Sequence, residues 1–138
     1  MMVCNHCTRR HDSRTYAEPM NVTTPPFYVF HLVRSADGWL VMSPEERNQF
    51  VQETLMPILK RRPGVRLRYF DAEAYSPRVT DVLMWEVSER RDYEALVEDL
   101  RETPFWGRYF EVLEILPCVE DGFARHYGLV GIASETEA

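Results

Sequence analysis

The chain predicts an α+β fold of ferredoxin-like order, βαββαβ, with one antiparallel sheet and two helices on one of its faces. Three observations carry this. Four runs rich in β-branched and aromatic residues recur along the chain. Amphipathic helical patterns, with their own start and stop signals, separate the first run from the second and the third from the fourth. Right-handed crossovers then fold the order strand, helix, strand, strand, helix, strand into such a sheet. Length agrees, since 138 residues with 45% hydrophobic side chains suit one domain and one core.

Residues 1–24 read as a disordered leader, polar and without helical or strand period, closed by Thr23-Thr24-Pro25-Pro26. Cys4, His6, Cys7 and His11 resemble half a zinc site. All four stand in one short run with no second ligand pair further along, so no metal is expected. The domain is expected over residues 25–128, and residues 129–138 read as a flexible tail.

The first strand is Phe27–Ser35, apolar on both faces and therefore covered on both. Ser35-Ala36-Asp37-Gly38 reads as a turn. Ser43-Pro44-Glu45-Glu46 starts a helix with a serine N-cap, a proline at the first position and a capping-box glutamate. Phe50, Val51, Leu55, Ile58 and Leu59 form its buried stripe, Pro57 kinks it or marks its last turn, and Pro63-Gly64 stop it. Val65–Asp71 and Asp81–Val87 are the middle strands. Ser88 is expected to cap a second helix, with Tyr93, Leu96, Val97 and Leu100 at helical spacing. Tyr109–Leu116 is the fourth strand, and a short helix could follow between Glu120 and Tyr127.

Helices on one face leave the other face of the sheet open. Alternation assigns Phe70, Val82, Met84, Phe110, Val112 and Leu116 to it, with Arg66, Arg68, Glu86 and Glu114. An apolar face of that extent marks an interface, so a homodimer stacked sheet to sheet is expected, a dimeric α+β barrel. A formal charge of −6 argues against a nucleic-acid partner and against anionic membranes. No run is long and apolar enough to span a bilayer. Three cysteines, two of them crowded at the start, make no disulfide framework, and a cytoplasmic location fits that count.

The candidate site is the connection between the middle strands, DAEAYSPRVT, which gathers Asp71, Glu73, Tyr75 and Arg78. Asp71 and Glu73 alternate with alanines, and two neighbouring carboxylates can drive their pKa values apart for acid–base work. The bland reading is a loop closed on Arg78. His31, alone among histidines in a strand, reads as a base or ligand, or as a hydrogen-bonded core or interface residue. Tyr69, Trp85, Trp106 and Tyr109, with Trp39, could wall an aromatic pocket or simply be core. Leu83, Trp85 and Val87 alternate toward the helices, and Tyr69 and Asp71 project the same way. Arg68 could hold an anionic group or pair with a glutamate across an interface. Gly-rich phosphate loops, nucleophile elbows and metal-ligand pairs at helical spacing are all missing from the sequence.

The stretch RYFDAEAYSPRVTDVLMWE, with LRETPFW and YFEVLEILP, resembles the darcynin family of small bacterial proteins over roughly Phe27 to Tyr127. The resemblance implies the dimeric α+β barrel fold and assigns no catalytic residue. Proteins of that fold include cofactor-free monooxygenases of polyketide quinones, haem enzymes, cyclases, isomerases and ligand sensors, so fold alone does not choose. A haem role would need an axial ligand, for which His31 is the sole good candidate. The expectation is a cofactor-independent enzyme of specialised polyketide or aromatic metabolism, of the antibiotic-biosynthesis kind, acting on a bulky apolar substrate as monooxygenase, cyclase or isomerase. The alternative is a non-catalytic dimer that binds a small molecule. Glu73, Asp71 and His31 are the expected catalytic groups. Tyr69, Trp85, Trp106, Tyr109, Tyr75 and Arg68 are the expected binding groups.

Overall fold

The computed structural model describes residues 27–132. The leader with its cysteine and histidine cluster, and the last residues of the tail, lie outside them. Four strands form one antiparallel sheet: β1 (Phe27–Ser35), β2 (Val65–Asp71), β3 (Asp81–Val87) and β4 (Phe110–Val119). Their order across the sheet is β2-β3-β1-β4, the ferredoxin-like arrangement that the element order requires. β2 and β4 are the edges, which is why Pro117 is tolerated within β4.

A single-turn helix α1 (Asp37–Leu40) stands where a turn was expected. Next comes a longer helical run, made of α2 (Pro44–Phe50), a π-helical turn (Val51–Leu55) and α3 (Met56–Lys60). Ser43 and Glu46 exchange the capping-box bonds, both 3.1 Å. Pro57 has no N–H for the Glu53 carbonyl, and just upstream the ladder slips so that the Met56 amide reaches back to the Val51 carbonyl. The expected kink is thus a widened turn. α4 (Arg90–Arg101) follows β3 and is capped by the Glu89 side chain, not by Ser88. The Ser88 hydroxyl donates to the Gly64 carbonyl instead. α5 (Gly122–His126) is the short terminal helix.

The core lies between the sheet and its helices. Val29, His31 and Val33 of β1 and Asp81, Leu83, Trp85 and Val87 of β3 are buried there, with Ile58 of α3 and Leu96 and Leu100 of α4. One assignment to the open face is corrected. Phe110 is buried and Val112 packs against the same core cluster, on the helix side. Strict alternation back from Leu116 would turn both outward, but a bulge in the β1–β4 ladder intervenes between Val112 and Glu114. One extra residue inverts the faces of everything before it. The open face keeps Tyr28, Phe30 and Leu32 of β1, Phe70, Val82 and Met84 in the middle, and Leu116 of β4.

Candidate functional site

Where β2 and β3 end, register pairs Tyr69 with Leu83 and Asp71 with Asp81. Both pairs lie on the helix side, so Tyr69 and the two carboxylates share one corner. The Ala72 amide bonds to the Thr80 carbonyl at 2.7 Å, and Tyr75 and Ser76 both donate back to the Ala72 carbonyl. This tight closure ends the strand at Asp71. Glu73 and Tyr75 therefore lie on an exposed turn, and the carboxylate partner of Asp71 is Asp81 across the ladder. The loop is closed by the Ser76 hydroxyl, which accepts from the amides of Arg78 and Val79.

Asp81 is the residue that sequence reading missed. It is 5% exposed, and the Thr80 hydroxyl donates to it at 2.6 Å. Burial raises its pKa above the usual carboxylate range, and Asp71 beside it acts in the same direction, opposed by donors from Thr80 and Tyr69. Burial also raises the Tyr69 hydroxyl, followed by the charges of Asp81, Asp71 and Glu73. A signal was available: Asp81 occupies the inward position in the alternation that continues through Leu83, Trp85 and Val87. Charged groups rarely stand there without a task or a partner.

Inward from Tyr69 is a cavity of about 30 Å³ lined by Leu55, Leu59, Leu67, Tyr69, Leu83, Trp85, Leu100 and Phe105. Leu55 belongs to the π-helical turn, so the Pro57 irregularity borders this space. π-Turns of this kind recur at functional sites. Trp85 forms the floor and is itself 1% exposed.

Behind Trp85 lies His31, fully buried. Its Nε2 is 2.8 Å from the Tyr93 hydroxyl, a partner supplied by the apolar stripe of α4. Edge-on rings surround it: Trp85 at 5.8 Å, Tyr93 at 6.0 Å and Trp106 at 6.0 Å between centroids. Burial lowers the His31 pKa to about 4, so the imidazole is neutral near pH 7. With Nε2 engaged and the ring enclosed, His31 does not fit the part of an axial haem ligand. Among the described residues no group of three or more histidines, cysteines or acids is placed to hold a metal ion.

The remaining expected residues are spread over other places. Tyr109 stacks with Trp39 and Phe50 in a separate aromatic cluster, with the Arg47 guanidinium 5.6 Å from the Trp39 ring. Arg68 is on the open face, 5.3 Å over Phe70. There it lines a groove of about 400 Å³ with Tyr28, Phe30, Met84, Cys118, Val119 and Glu120. The structure thus brings Tyr69, Asp71, Trp85, His31 and Trp106 along one inward path. Glu73 and Tyr75 remain on the exposed turn after β2, with Tyr109 and Arg68 apart from the path.

A ferredoxin-like sheet with an inward acid cluster and an uncovered outer face defines a small α+β protein of the architecture found in chlorite dismutase. The chlorite dismutase of Candidatus Nitrospira defluvii, in complex with imidazole, matches with a TM-score of 0.62 and 15% identity, over 83% of this chain and 48% of that one. This chain therefore spans about half the length of that structure, and the likeness is one of fold. The chain belongs to the darcynin family: the family model, described as Darcynin, domain of unknown function, covers residues 12–137. A darcynin homolog of Streptomyces avermitilis is 45% identical over 119 residues, which is 86% of this chain and 98% of that protein. Another, from Granulibacter bethesdensis, is 47% identical over 116 residues, 83% of this chain and 94% of its own length.

Proposed function

We propose that this protein is a cofactor-independent acid–base enzyme acting on a small, largely apolar aromatic molecule, as a cyclase, isomerase or monooxygenase of specialised metabolism. One observation carries the reading: Asp81, a buried carboxyl with a raised pKa, stands beside Asp71 and Tyr69, and Tyr69 lines a small apolar cavity. A buried carboxyl with a raised pKa is suited to give and take a proton, and a neighbouring carboxylate can share those tasks. Tyr69, kept as a neutral phenol, supplies a donor to charge developing on a substrate oxygen. Glu73 lies within electrostatic reach of Tyr69 and tunes it from the exposed turn.

The test is conversion of a panel of polycyclic phenols and ketones, without added cofactor, followed by mass spectrometry. Wild-type protein is expected to yield a product. Asp81→Asn, which keeps shape and can still bond to Thr80, is expected to reduce turnover roughly a hundredfold. Glu73→Gln should reduce it less. If a panel compound binds with no conversion by the wild type, the protein is the non-catalytic binding dimer and the acid–base reading fails.

The homodimer belongs to the same reading. Tyr28, Phe30, Leu32, Val82 and Met84 are half-buried within one chain, and Phe70 and Leu116 are about two-fifths exposed. Val119, which lines the groove on the open face, is exposed as well, as are Phe123, Leu129 and Val130 toward the end of the chain. Stacking of two open sheets would cover it, and Arg66, opposite Glu86 in register, would be matched by the same pair from the other copy. Met84→Asp would put an unpaired charge at the centre of this surface. Sedimentation should show a dimer for wild type and a monomer for the variant at micromolar concentration. A wild-type monomer refutes the arrangement. No helix among the described residues is long and apolar enough to cross a membrane. We place the dimer in the cytoplasm, where the exposed thiol of Cys118 stays reduced.

A further inference from the structure

The ladder between β1 and β3 ends at Val33 and Asp81. Just past it a side chain receives the next amide that β1 offers: Ser35 N–H donates to Thr80 Oγ1 at 2.7 Å. The backbone of Thr80 is held as well. Its amide donates to the Val33 carbonyl at 3.0 Å, and its carbonyl accepts from the Ala72 amide at 2.7 Å. Thr80 is therefore tied to β1 through Val33 and Ser35, and to the end of β2 through Ala72.

A hydroxyl has one proton to give. Two acceptors lie near that of Thr80, Asp81 Oδ2 at 2.6 Å and the Val33 carbonyl at 3.4 Å. Only the first is within range of a good O–H···O bond, and the Val33 carbonyl already has the Thr80 amide. With Ser35 N–H on a lone pair of Oγ1, the hydroxyl is turned to give its proton to Asp81. A donor kept on one oxygen of a carboxyl favours the charged form and places the acid proton on the other oxygen. The other groups that bear on the charge of Asp81 are Asp71 and Tyr69, both from β2. Its partner on β1, Val33, carries no charge.

We infer that Thr80 is the positioning residue of the acid pair: anchored by the Ser35 amide, its hydroxyl donates to Oδ2 of Asp81 and leaves Oδ1 as the oxygen that carries and releases the proton. Acid–base transfer needs the exchanging oxygen held toward the reacting atom, and a carboxyl with one oxygen engaged has a single direction in which to exchange. The two bonds also form a chain, Ser35 N–H to Thr80 and Thr80 O–H to Asp81, so charge gained by Asp81 polarises the Ser35 amide. The inference rests on the acid–base reading only for the use made of that proton.

The experiment is an NMR pH titration of the ¹³C,¹⁵N-labelled full chain, followed at the Asp81 carboxyl carbon and the Ser35 amide. Asp71 and Asp81 titrate as a pair, so the quantity compared is the higher of their two steps. In wild type the Ser35 amide is expected to move with the midpoint of Asp81, and to lose that step in Asp81→Asn. Thr80→Val, nearly the same shape without the hydroxyl, should move the Asp81 midpoint to higher pH, and Thr80→Ser should bring it back. On any compound that the wild type converts, Thr80→Val should lower turnover roughly tenfold and Thr80→Ser should restore it. A Ser35 amide that ignores Asp81 in wild type overturns the inference, and this signal needs no variant at Thr80. An unchanged or lowered midpoint in folded Thr80→Val overturns it too, since Asp81 would then hold its proton on Oδ2, toward Thr80. So does full turnover in that variant. Loss of conversion in Asp81→Asn with no effect of Thr80 on the midpoint would sink this inference alone. A raised midpoint in a protein that converts nothing would sink the acid–base reading alone.

Discussion

Replacing Trp85 by alanine is expected to lower the unfolding free energy by about 3–5 kcal/mol, the largest loss at any position along the inward path. The ring is 1% exposed and lies in the core cluster with Val29, Leu83, Leu96, Leu100 and Phe105. Truncation removes its apolar contacts and leaves a hole that joins the existing 30 Å³ cavity. One term opposes the loss: the unpaired Nε1–H disappears with the ring, and with it the cost of burying that donor. Trp85→Phe isolates this term, because it keeps most of the ring while deleting the N–H. Its expected cost is therefore clearly below that of alanine. Urea unfolding monitored by circular dichroism gives both values. A loss under about 1 kcal/mol for Trp85→Ala would mean that the ring is a yielding pocket wall and that the helices close readily behind it.

That contrast also marks what a sequence discloses. The bounds of β1, β2 and β3 coincide with their strand-favouring runs, because each run ends at a turn or cap residue, and β1 and β3 are buried on their inward side. The inward placement of Tyr69, Leu83 and Trp85 follows from the same period of two. β4 was different. Its apolar residues do not alternate, since Val112-Leu113 and Ile115-Leu116 are adjacent pairs, so Phe110 and Val112 fit either face equally well. Only pairing with β1, through the slip after Leu32, decides the matter. The acid cluster had the same difficulty. Asp71 and Glu73 are neighbours in sequence, whereas Asp71 and Asp81 are neighbours only once the Ala72–Thr80 bond sets the turn. A pairing fixed by register is not visible in the spacing of either strand. The His31–Tyr93 bond joins a strand to a helix, 62 residues apart, and could be suspected only because a phenol on a buried stripe needs a partner.

His31 should make stability fall steeply in mild acid. Its pKa is lowered from 6.5 to about 4 in the folded chain because burial disfavours the imidazolium. Between those two values the unfolded chain binds a proton that the folded chain refuses. Stability attributable to His31 is therefore complete above about pH 6.5 and lost progressively as pH falls toward 4, by about 3 kcal/mol. Asp81 works against it. Its folded pKa is raised, so its contribution grows as the carboxyl regains its proton at low pH and shrinks as pH rises through its folded value. The measured curve for wild type is then a difference of two opposed terms and will be shallower than the His31 term alone. Comparison with His31→Gln separates them, because glutamine does not titrate and its amide can donate to or accept from the Tyr93 hydroxyl. The wild-type advantage over this variant should shrink by about 3 kcal/mol from pH 7 to pH 4, while Asp81→Asn should steepen the wild-type fall over the same range. If the gap between wild type and His31→Gln is the same at both pH values, the imidazole accepts a proton in place. The space around His31 would then be open to water, and the buried His31 Nδ1 and Trp85 Nε1 would already be satisfied.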